Sequence, residues 1–412
     1  MRFDIFVKTL IGYERIDVLD FEIEKDKYHP DETVFIASVA LWEEEQYRCP
    51  VCGQKCGKYD QSGFVKRWRS LDLGKNKFFI ECVNPRCICP EHGVLKCFVP
   101  WAFPDSDYTR AFEVRVAYAA AKMPTNLVSR EYRIKWGTVG GCVKRVQKHI
   151  CPVENRFRKL KKIAIDETSY QAGHKYITTV QDLETGEIIW AWDGFGDEVL
   201  SLFFKSLSQE QLDSIEFVVA DGARWITRQV EKYCPNAKRC VDPFHVVGWA
   251  TEALDSTRKR LSEDAKKKRF ALLKNPENLT ANQRAQLDYI VKSNPELYAA
   301  YLGKERLRLI FKQDSFKSAC LALGRWLKWA RNCGIPEFEK LAEKIDRNRK
   351  FIVATIRYGM STGKLEATNN VIKSIIRRSF GFRNVDNLIA MVLWRTSNTL
   401  DLVEQSLFHI IG

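Results

Sequence analysis

Between residues 161 and 242 the spacing of apolar and polar positions changes several times. KKIAID, KYITTVQD and EIIWAWD alternate or run apolar, with LETG between the last two, the pattern of half-buried or buried strands joined by a turn. DEVLSLFFKSL then has helical spacing, IEFVVAD reads as a buried strand ending at Asp221, ARWITRQVEKY as a helix and AKRCVD as a short strand. Strand, strand, strand, helix, strand, helix, strand predicts a mixed sheet with helices on its faces.

On either side the period is mostly helical. YTRAFEVRVAYAAAKM, NLVSREYRI and WGTVGGCVKRVQKHI predict helices across 108–150. The last two, short and separated by a brief turn, are spaced as a helix-turn-helix, with Thr138 near the start of a second helix bearing Lys144, Arg145 and Lys148. A plain helical hairpin is the other reading of the same spacing. After Asp242 helical spacing continues for more than a hundred residues. In DSTRKRLSEDAKKKRFALLKN, Leu254, Leu261, Phe270, Leu272 and Leu273 give one helix a side to bury and leave the cations on the other. On the helix TGKLEATNNVIKSIIRRSF, Glu366, Asn369, Asn370, Lys373 and Arg377 share one arc, opposite Leu365, Thr368, Ile372, Ile375 and Ile376.

The order of elements is that of a ribonuclease H-like core, so the expected fold is α/β: a ribonuclease H-like mixed sheet interrupted by an all-helical insertion, preceded by a zinc-binding segment and a helix-turn-helix. The expected organisation is an acidic segment without assigned chemistry (1–45), a zinc-binding domain (46–100), a helix-turn-helix (105–150), the first part of the sheet domain (158–253), the insertion (254–352) and the closing helices (353–400).

Charge adds a partner. The net charge is +14, yet residues 1–45 hold 5 Lys and Arg against 12 Asp and Glu, leaving 61 against 40 in the remainder. A basic body suits a polyanion, nucleic acid being the commonest. The chain shows no apolar run long enough for a membrane helix, and its start lacks the basic and apolar regions of a signal peptide, so a cytoplasmic protein is expected. Of 13 cysteines, seven lie between 49 and 97. Such clustering points to metal rather than disulfides. Cys49 and Cys52 flank two residues in a knuckle whose tight turn is supplied by Gly53; Cys82, Cys87, Cys56, Cys89, His92 and Cys97 are candidates for the second pair. Four protein ligands would make the site structural. Cys142, Cys151, Cys234, Cys240, Cys320 and Cys333 read as ordinary thiols.

Asp166 ends the first predicted strand and Asp221 the fourth, neighbours in such a sheet, and Glu366 arrives from a polar helix face. Three convergent carboxylates are what two Mg²⁺ ions about 4 Å apart require to activate water and stabilise the leaving oxyanion in phosphodiester cleavage. Glu167 is adjacent to Asp166, but successive strand side chains point to opposite faces, so the two are not expected to serve one metal pair.

The motifs CPVC with CVNPRC, AIDETSY, VVADGARW, VDPFHVV and KLEATNNVIKSIIRRSFGFRN, in this order over roughly 46–400, resemble the ISL-three family of bacterial insertion-sequence transposases. The resemblance implies a DDE enzyme with Asp166, Asp221 and Glu366 as its triad holding Mg²⁺ or Mn²⁺, and Cys49, Cys52, Cys82 and Cys87 as ligands of a structural Zn²⁺. Cys89, His92 and Cys97 depart from the commoner pattern. Asp242 and His245 match an Asp-x-x-His signature, with Asn370 and Lys373 as further supporting residues, and Thr138, Lys144, Arg145, Lys148, Arg377 and Arg378 are expected on DNA. The activity implied is binding of terminal inverted repeats, strand cleavage at the element ends and joining of 3′ hydroxyls to target DNA. The setting implied is a bacterial, nucleoid-associated protein acting as a homodimer or higher synaptic oligomer, with no membrane partner. A metal-dependent nuclease without strand transfer, and a domesticated DNA-binding regulator, are the competing readings.

Overall fold

A computed structural model describes residues 3–26, 30–60, 63–152, 156–157, 160–261, 269–360, 363–379 and 381–408. The chain forms two compact units, one of Met1–Pro152 with Arg378–Gly412 and one of Val153–Arg377.

The first unit opens with helix α1 (Phe3–Ile11) and strands β1 (Ile16–Lys25) and β2 (Thr33–Leu41). After the short β3 (Gly57–Lys58) come β4 (Phe64–Arg69) and β5 (Lys77–Asn84), giving a four-stranded sheet of order β1-β2-β5-β4 in which β2 and β5 are parallel. Residues 1–45 are therefore not a separate segment. The apolar positions of ETVFIASVALW pair with KFFIECVN, and Val7, Ile16, Val39, Trp68, Phe78, Ile80 and Trp101 share one core. Strands β6 (Arg86–Cys89) and β7 (Gly93–Lys96) join β3 in a small antiparallel sheet. Three helices follow as expected: α2 (Arg110–Lys122), capped by the Thr109 hydroxyl, which accepts from the Phe112 amide, then α3 (Thr125–Glu131) and α4 (Trp136–Ile150). Phe112, Val116, Val128, Val139 and Cys142 form their core.

The second unit is built on β8 (Lys162–Gln171), β9 (Lys175–Asp182), β10 (Ile188–Asp193), β11 (Phe217–Ala220) and β12 (Lys238–Val241), in the order β10-β9-β8-β11-β12. β8, β11 and β12 run parallel, and β9 is antiparallel to β8 and β10. Alternation assigns the faces. Ile163, Ile165, Val218 and Ala220 pack with residues of α5 (Asp197–Lys205) and α7 (Arg224–Tyr233), the short α6 (Gln209–Ser214) lying between these in sequence. Ala164, Val219 and Cys240 form the opposite face.

Helix α8 (Pro243–Leu261) leaves β12 directly, so the helical layer begins before residue 254. It continues through α9 (Arg269–Leu273), α10 (Ala281–Ser293), α11 (Pro295–Ile310), α12 (Phe316–Ala330) and α13 (Pro336–Arg347) around Trp249, Leu254, Tyr301, Trp326 and Phe338. Of the apolar positions expected on the buried side across Leu254–Leu273, Leu254 and Leu272 are buried but Phe270 is 61% exposed; residues 262–268, between α8 and α9, lie outside the described ones. α14 (Arg349–Tyr358) returns to the sheet, where the Thr355 hydroxyl donates to the Val241 carbonyl at 2.7 Å.

After α15 (Gly363–Arg378), helices α16 (Val385–Arg395) and α17 (Asn398–Phe408) belong to the first unit rather than to the sheet domain they were expected to close. Trp394 is fully buried with its indole N–H on the Ala117 carbonyl at 3.0 Å, and a Cβ on Gly140 would lie 2.6 Å from Asn387 Nδ2. The apolar face of VDNLIAMVLW is thus consumed by α2 and α4.

Candidate active site and metal cluster

The parallel register Val219↔Ala164 places Asp166 beside Asp221, two residues further along; Asp221 follows the last residue of β11, but Asp166 does not end its strand as expected, because β8 continues to Gln171 paired with β9. By alternation both carboxylates fall on the Ala164 and Val219 face. Asp166 is held from two sides: Asn369 Nδ2 donates to its Oδ2 at 2.6 Å, and His245 Nε2 lies 3.4 Å from its Oδ1. His245 Nε2 is also 3.9 Å from Asp242 Oδ2, while Asp242 Oδ1 accepts from the Phe244 amide at 2.9 Å and so caps α8. Asp221 Oδ1 accepts from the Ala223 amide at 2.8 Å, turning the chain into α7. Beneath them the buried Arg239 guanidinium donates to the carbonyls of Ala220, Asp221 and Cys240 and lies against the Phe351 ring.

The electrostatics follow from crowding. Burial is the largest influence on Glu167 and, with the charges of Asp221 and Asp166, pushes its carboxyl up to about 7 against the opposing effect of His245. Burial works against a charged His245, but its hydrogen bond to Asp166 and the charges of Asp166, Asp242 and Asp221 outweigh it and raise the imidazole pKa. Burial draws Arg239 down to about 10 although Asp221 opposes this. Asn369 Oδ1 is buried and has no hydrogen-bond partner among the described residues. Repelling carboxylates beside an unsatisfied amide oxygen are a donor set suited to a hard divalent cation.

Of the other expected residues, Glu366 is on α15 one turn before Asn369, but its side chain lies outside the described residues. Asn370, Lys373 and Arg377 are exposed; the Arg377 Nε donates to the Lys373 carbonyl, and the Arg378 guanidinium to the Lys122 carbonyl. Asn369, rather than Asn370, is the amide on Asp166. It was visible on the same polar arc of the helix; Arg239 carried no sequence signal.

The cysteines that cluster in a compass fit for metal are not the full set expected as ligands. Cys49, Cys52, Cys89 and His92 place one ligand atom each within 4.8 Å of all the others. Cys52 Sγ is 3.7 Å from Cys89 Sγ, and His92 Nδ1 is 3.5 Å from Cys89 Sγ and 3.8 Å from Cys49 Sγ. The Val51 amide donates to Cys49 Sγ at 3.4 Å, and Gly53 turns with φ of 73°. His92 is the largest influence drawing the Cys89 thiol down to about 6. Cys82 instead sits with Phe78 and Ile80 on the inner face of β5, where burial pushes its thiol up to about 11. Cys87 is buried beside the Arg48 carbonyl. Three thiols and an imidazole in this compass fit Zn²⁺.

On α4, Thr138 lies in the first turn, its amide on the Lys135 carbonyl at 2.9 Å; Lys148 is exposed and Lys144 half-buried. Arg145 is not a free cation. Its Nε donates to Glu113 Oε1 at 2.7 Å, and Glu113 is fully buried.

These elements match a known family. The ISL3 model of DDE transposases, described as transposase, matches residues 163–392, which span the five-stranded sheet, the helical layer and α15. The transposases for insertion sequence element IS1557 of Mycobacterium tuberculosis strains CDC 1551 / Oshkosh and ATCC 25618 / H37Rv are each 39% identical over 418 residues, covering 94% of this chain and 94% of their own length. The transposase for insertion sequence element IS1001 of Bordetella parapertussis is 25% identical over 352 residues, or 82% of this chain and 85% of that one. The chain belongs to the ISL3 family of insertion-sequence transposases. Membership implies a DNA-modifying enzyme that uses divalent metal. No helix among the described residues is long and apolar enough to cross a membrane.

Proposed function

We propose that this chain binds the terminal inverted repeats of an insertion sequence, cleaves strands at its ends and joins the freed 3′ hydroxyls to target DNA, on a ribonuclease H-like core. The observation that carries the reading is Asp166 on β8 beside Asp221 at the end of the adjacent parallel β11, with α15, bearing Asn369 and Glu366, packed against Asp166. Asp166, Asp221 and Glu366 would hold Mg²⁺ or Mn²⁺, which when bound supplies water activation and neutralises charge on the phosphate. Asn369 fixes the rotamer of Asp166. His245 orients the same carboxylate from the other side, with Asp242 fixing the start of the helix that carries it. Water and a 3′ hydroxyl are successive nucleophiles for one site, so no covalent protein intermediate is required.

Cys49, Cys52, Cys89 and His92 would hold a structural Zn²⁺, and α3 and α4 form the helix-turn-helix, with Thr138, Lys144 and Lys148 toward DNA and Arg145 as an internal brace. Two element ends require two active sites, so the working form is a homodimer or larger synaptic assembly, acting in the bacterial cytoplasm at the nucleoid. The decisive assay supplies a pre-cut element end bearing a 3′ hydroxyl together with plasmid target and Mg²⁺. Joined product that is lost in Asp166→Asn supports the transposase. Cleavage of uncut ends without any joining identifies a nuclease, and end binding without cleavage a regulator.

A further inference from the structure

Immediately after Asp221 the chain is pressed against the helical layer. A Cβ on Gly222 would lie 2.7 Å from the Trp249 ring and 3.1 Å from Asn348 Oδ1, so only glycine fits. Beside this contact is a cavity of about 230 Å³ whose lining includes Gly222, Arg224, Thr227, Lys344, Arg347 and Lys350, and no carboxylate. Lys350 Nζ lies 3.7 Å from Glu231, an exposed pair of little consequence. Among the described residues no carboxylate lies within ion-pair distance of Arg224, Lys344 or Arg347, although the more distant charges of Glu252 and Asp221 act on Lys344. The Lys344 ammonium is half-buried, 4.2 Å from the centroid of the Trp249 ring. Helix α7 starts at Arg224, so the positive end of its dipole is at the same opening.

Cations gathered around one small cavity repel one another unless an anion joins them. A tetrahedral oxyanion such as a phosphodiester accepts from guanidinium and ammonium groups together. The position narrows the choice, because the cavity wall begins one residue from Asp221 and any phosphate seated there lies within a short stretch of strand from the reacting bond. We propose that this pocket seats a backbone phosphate of the DNA strand adjoining the cleaved bond, with Arg224, Lys344 and Arg347 as positioning residues. The inference rests on the transposase reading and adds where on the helical layer the strand is gripped.

The test uses the full-length chain and duplexes copied from the element ends, each carrying one neutral methylphosphonate at successive positions around the cleavage point. For the wild-type chain, one or two positions should depress cleavage beyond their neighbours. In Lys344→Gln and Arg347→Gln, those positions should cause no further loss, while neutral phosphates elsewhere keep their effects. The slope of log affinity against log salt should fall by about one for each cation removed from a phosphate. Thermal melts establish that the variants are folded, and Arg224→Gln, on the other wall, serves if either is not. Folded variants that cleave like wild type, or that remain as sensitive as wild type at the same positions, overturn the phosphate seat alone. Failure of the wild-type chain to cleave any end overturns the transposase reading and this inference with it.

Discussion

Asp166 and Glu167 differ by one position and, in a regular strand, by a face of the sheet. Asp166 lies toward α15, touched by Asn369 and His245; Glu167 feels the charge of Asp221 more than that of Asp166. Asp166→Asn is expected to abolish cleavage and joining while leaving end binding, whereas Glu167→Gln should retain measurable chemistry. The reverse ranking in a Mg²⁺ cleavage assay would identify Glu167 as the working carboxylate. The elevated Glu167 pKa also makes a stability prediction. Its carboxyl is held up to about 7 when folded, against about 4.3 for an unperturbed Glu, so the folded state keeps a proton that the unfolded chain has lost. The stabilisation is complete below the lower value and disappears as pH rises through about 7. Without divalent ions, the melting temperature of wild type should therefore fall relative to Glu167→Gln as pH is raised across this window. A constant difference would show that Glu167 does not titrate there. Removing the amide in Asn369→Ala should slow cleavage about tenfold or more by freeing Asp166 to turn, since one buried hydrogen bond to a charged group is worth roughly 1.5–3 kcal/mol. Unchanged cleavage would reduce that contact to packing. Asp221 was legible because the end of β11 can be read from its apolar run, whereas the apolar run before Asp166 stops while β8 continues to Gln171 on polar residues. The choice between Asn369 and Asn370 was not, since both occupy one helical arc and only the packed helix distinguishes them.

At the scale of elements, the knuckle and the helical hairpin show what spacing conveys. The pair Cys49-x-x-Cys52 is matched by Cys89-x-x-His92, two residues between candidate ligands each time, while Cys82 is in phase with Phe78 and Ile80. That alternation already pointed Cys82 into an apolar core, and the family pattern obscured it. Cys89→Ser or His92→Ala should lower zinc content and disorder the turn that carries Cys49, whereas Cys82→Ala should leave zinc at about one per chain and cost stability alone. Metal analysis showing zinc lost in Cys82→Ala and kept in Cys89→Ser would restore the original pairing. On α4, a basic residue at the right spacing looked like a DNA contact, but the partner that occupies it lies on α2 and no local pattern reveals such a pairing. Arg145→Met leaves Glu113 buried and unpaired, at a cost of about 3 kcal/mol, and Glu113→Leu in the same chain should recover much of it. Denaturant unfolding that finds Arg145→Met as stable as wild type would show that Glu113 is not committed to the pair.

At the scale of the whole molecule, the order of the five strands followed from periodicity, but the division of the chain did not. Strand β2 pairs in parallel with β5, some forty residues later, and the last two helices pack on α2 and α4 from the far end of the sequence. Such pairings depend on long-range contacts that no local window contains. One consequence is that the two candidate metal sites belong to different compact units: the soft Cys and His donors to the first, the carboxylates Asp166 and Asp221 to the second. Their removal should then produce separable defects. Withholding Mg²⁺ from zinc-loaded protein should stop cleavage and joining, leave specific end binding intact, and leave the melting of the first unit unchanged. Stripping zinc in the presence of Mg²⁺ should weaken end binding and lower a melting transition, because folding and ligation of such a cluster are one equilibrium. The salt dependence of residual nonspecific binding should persist in both cases, since it comes from the basic surplus outside residues 1–45. Loss of end binding on Mg²⁺ depletion alone, with zinc still stoichiometric, would show that the carboxylate site takes part in end recognition and that the two metals do not divide the work as their units do.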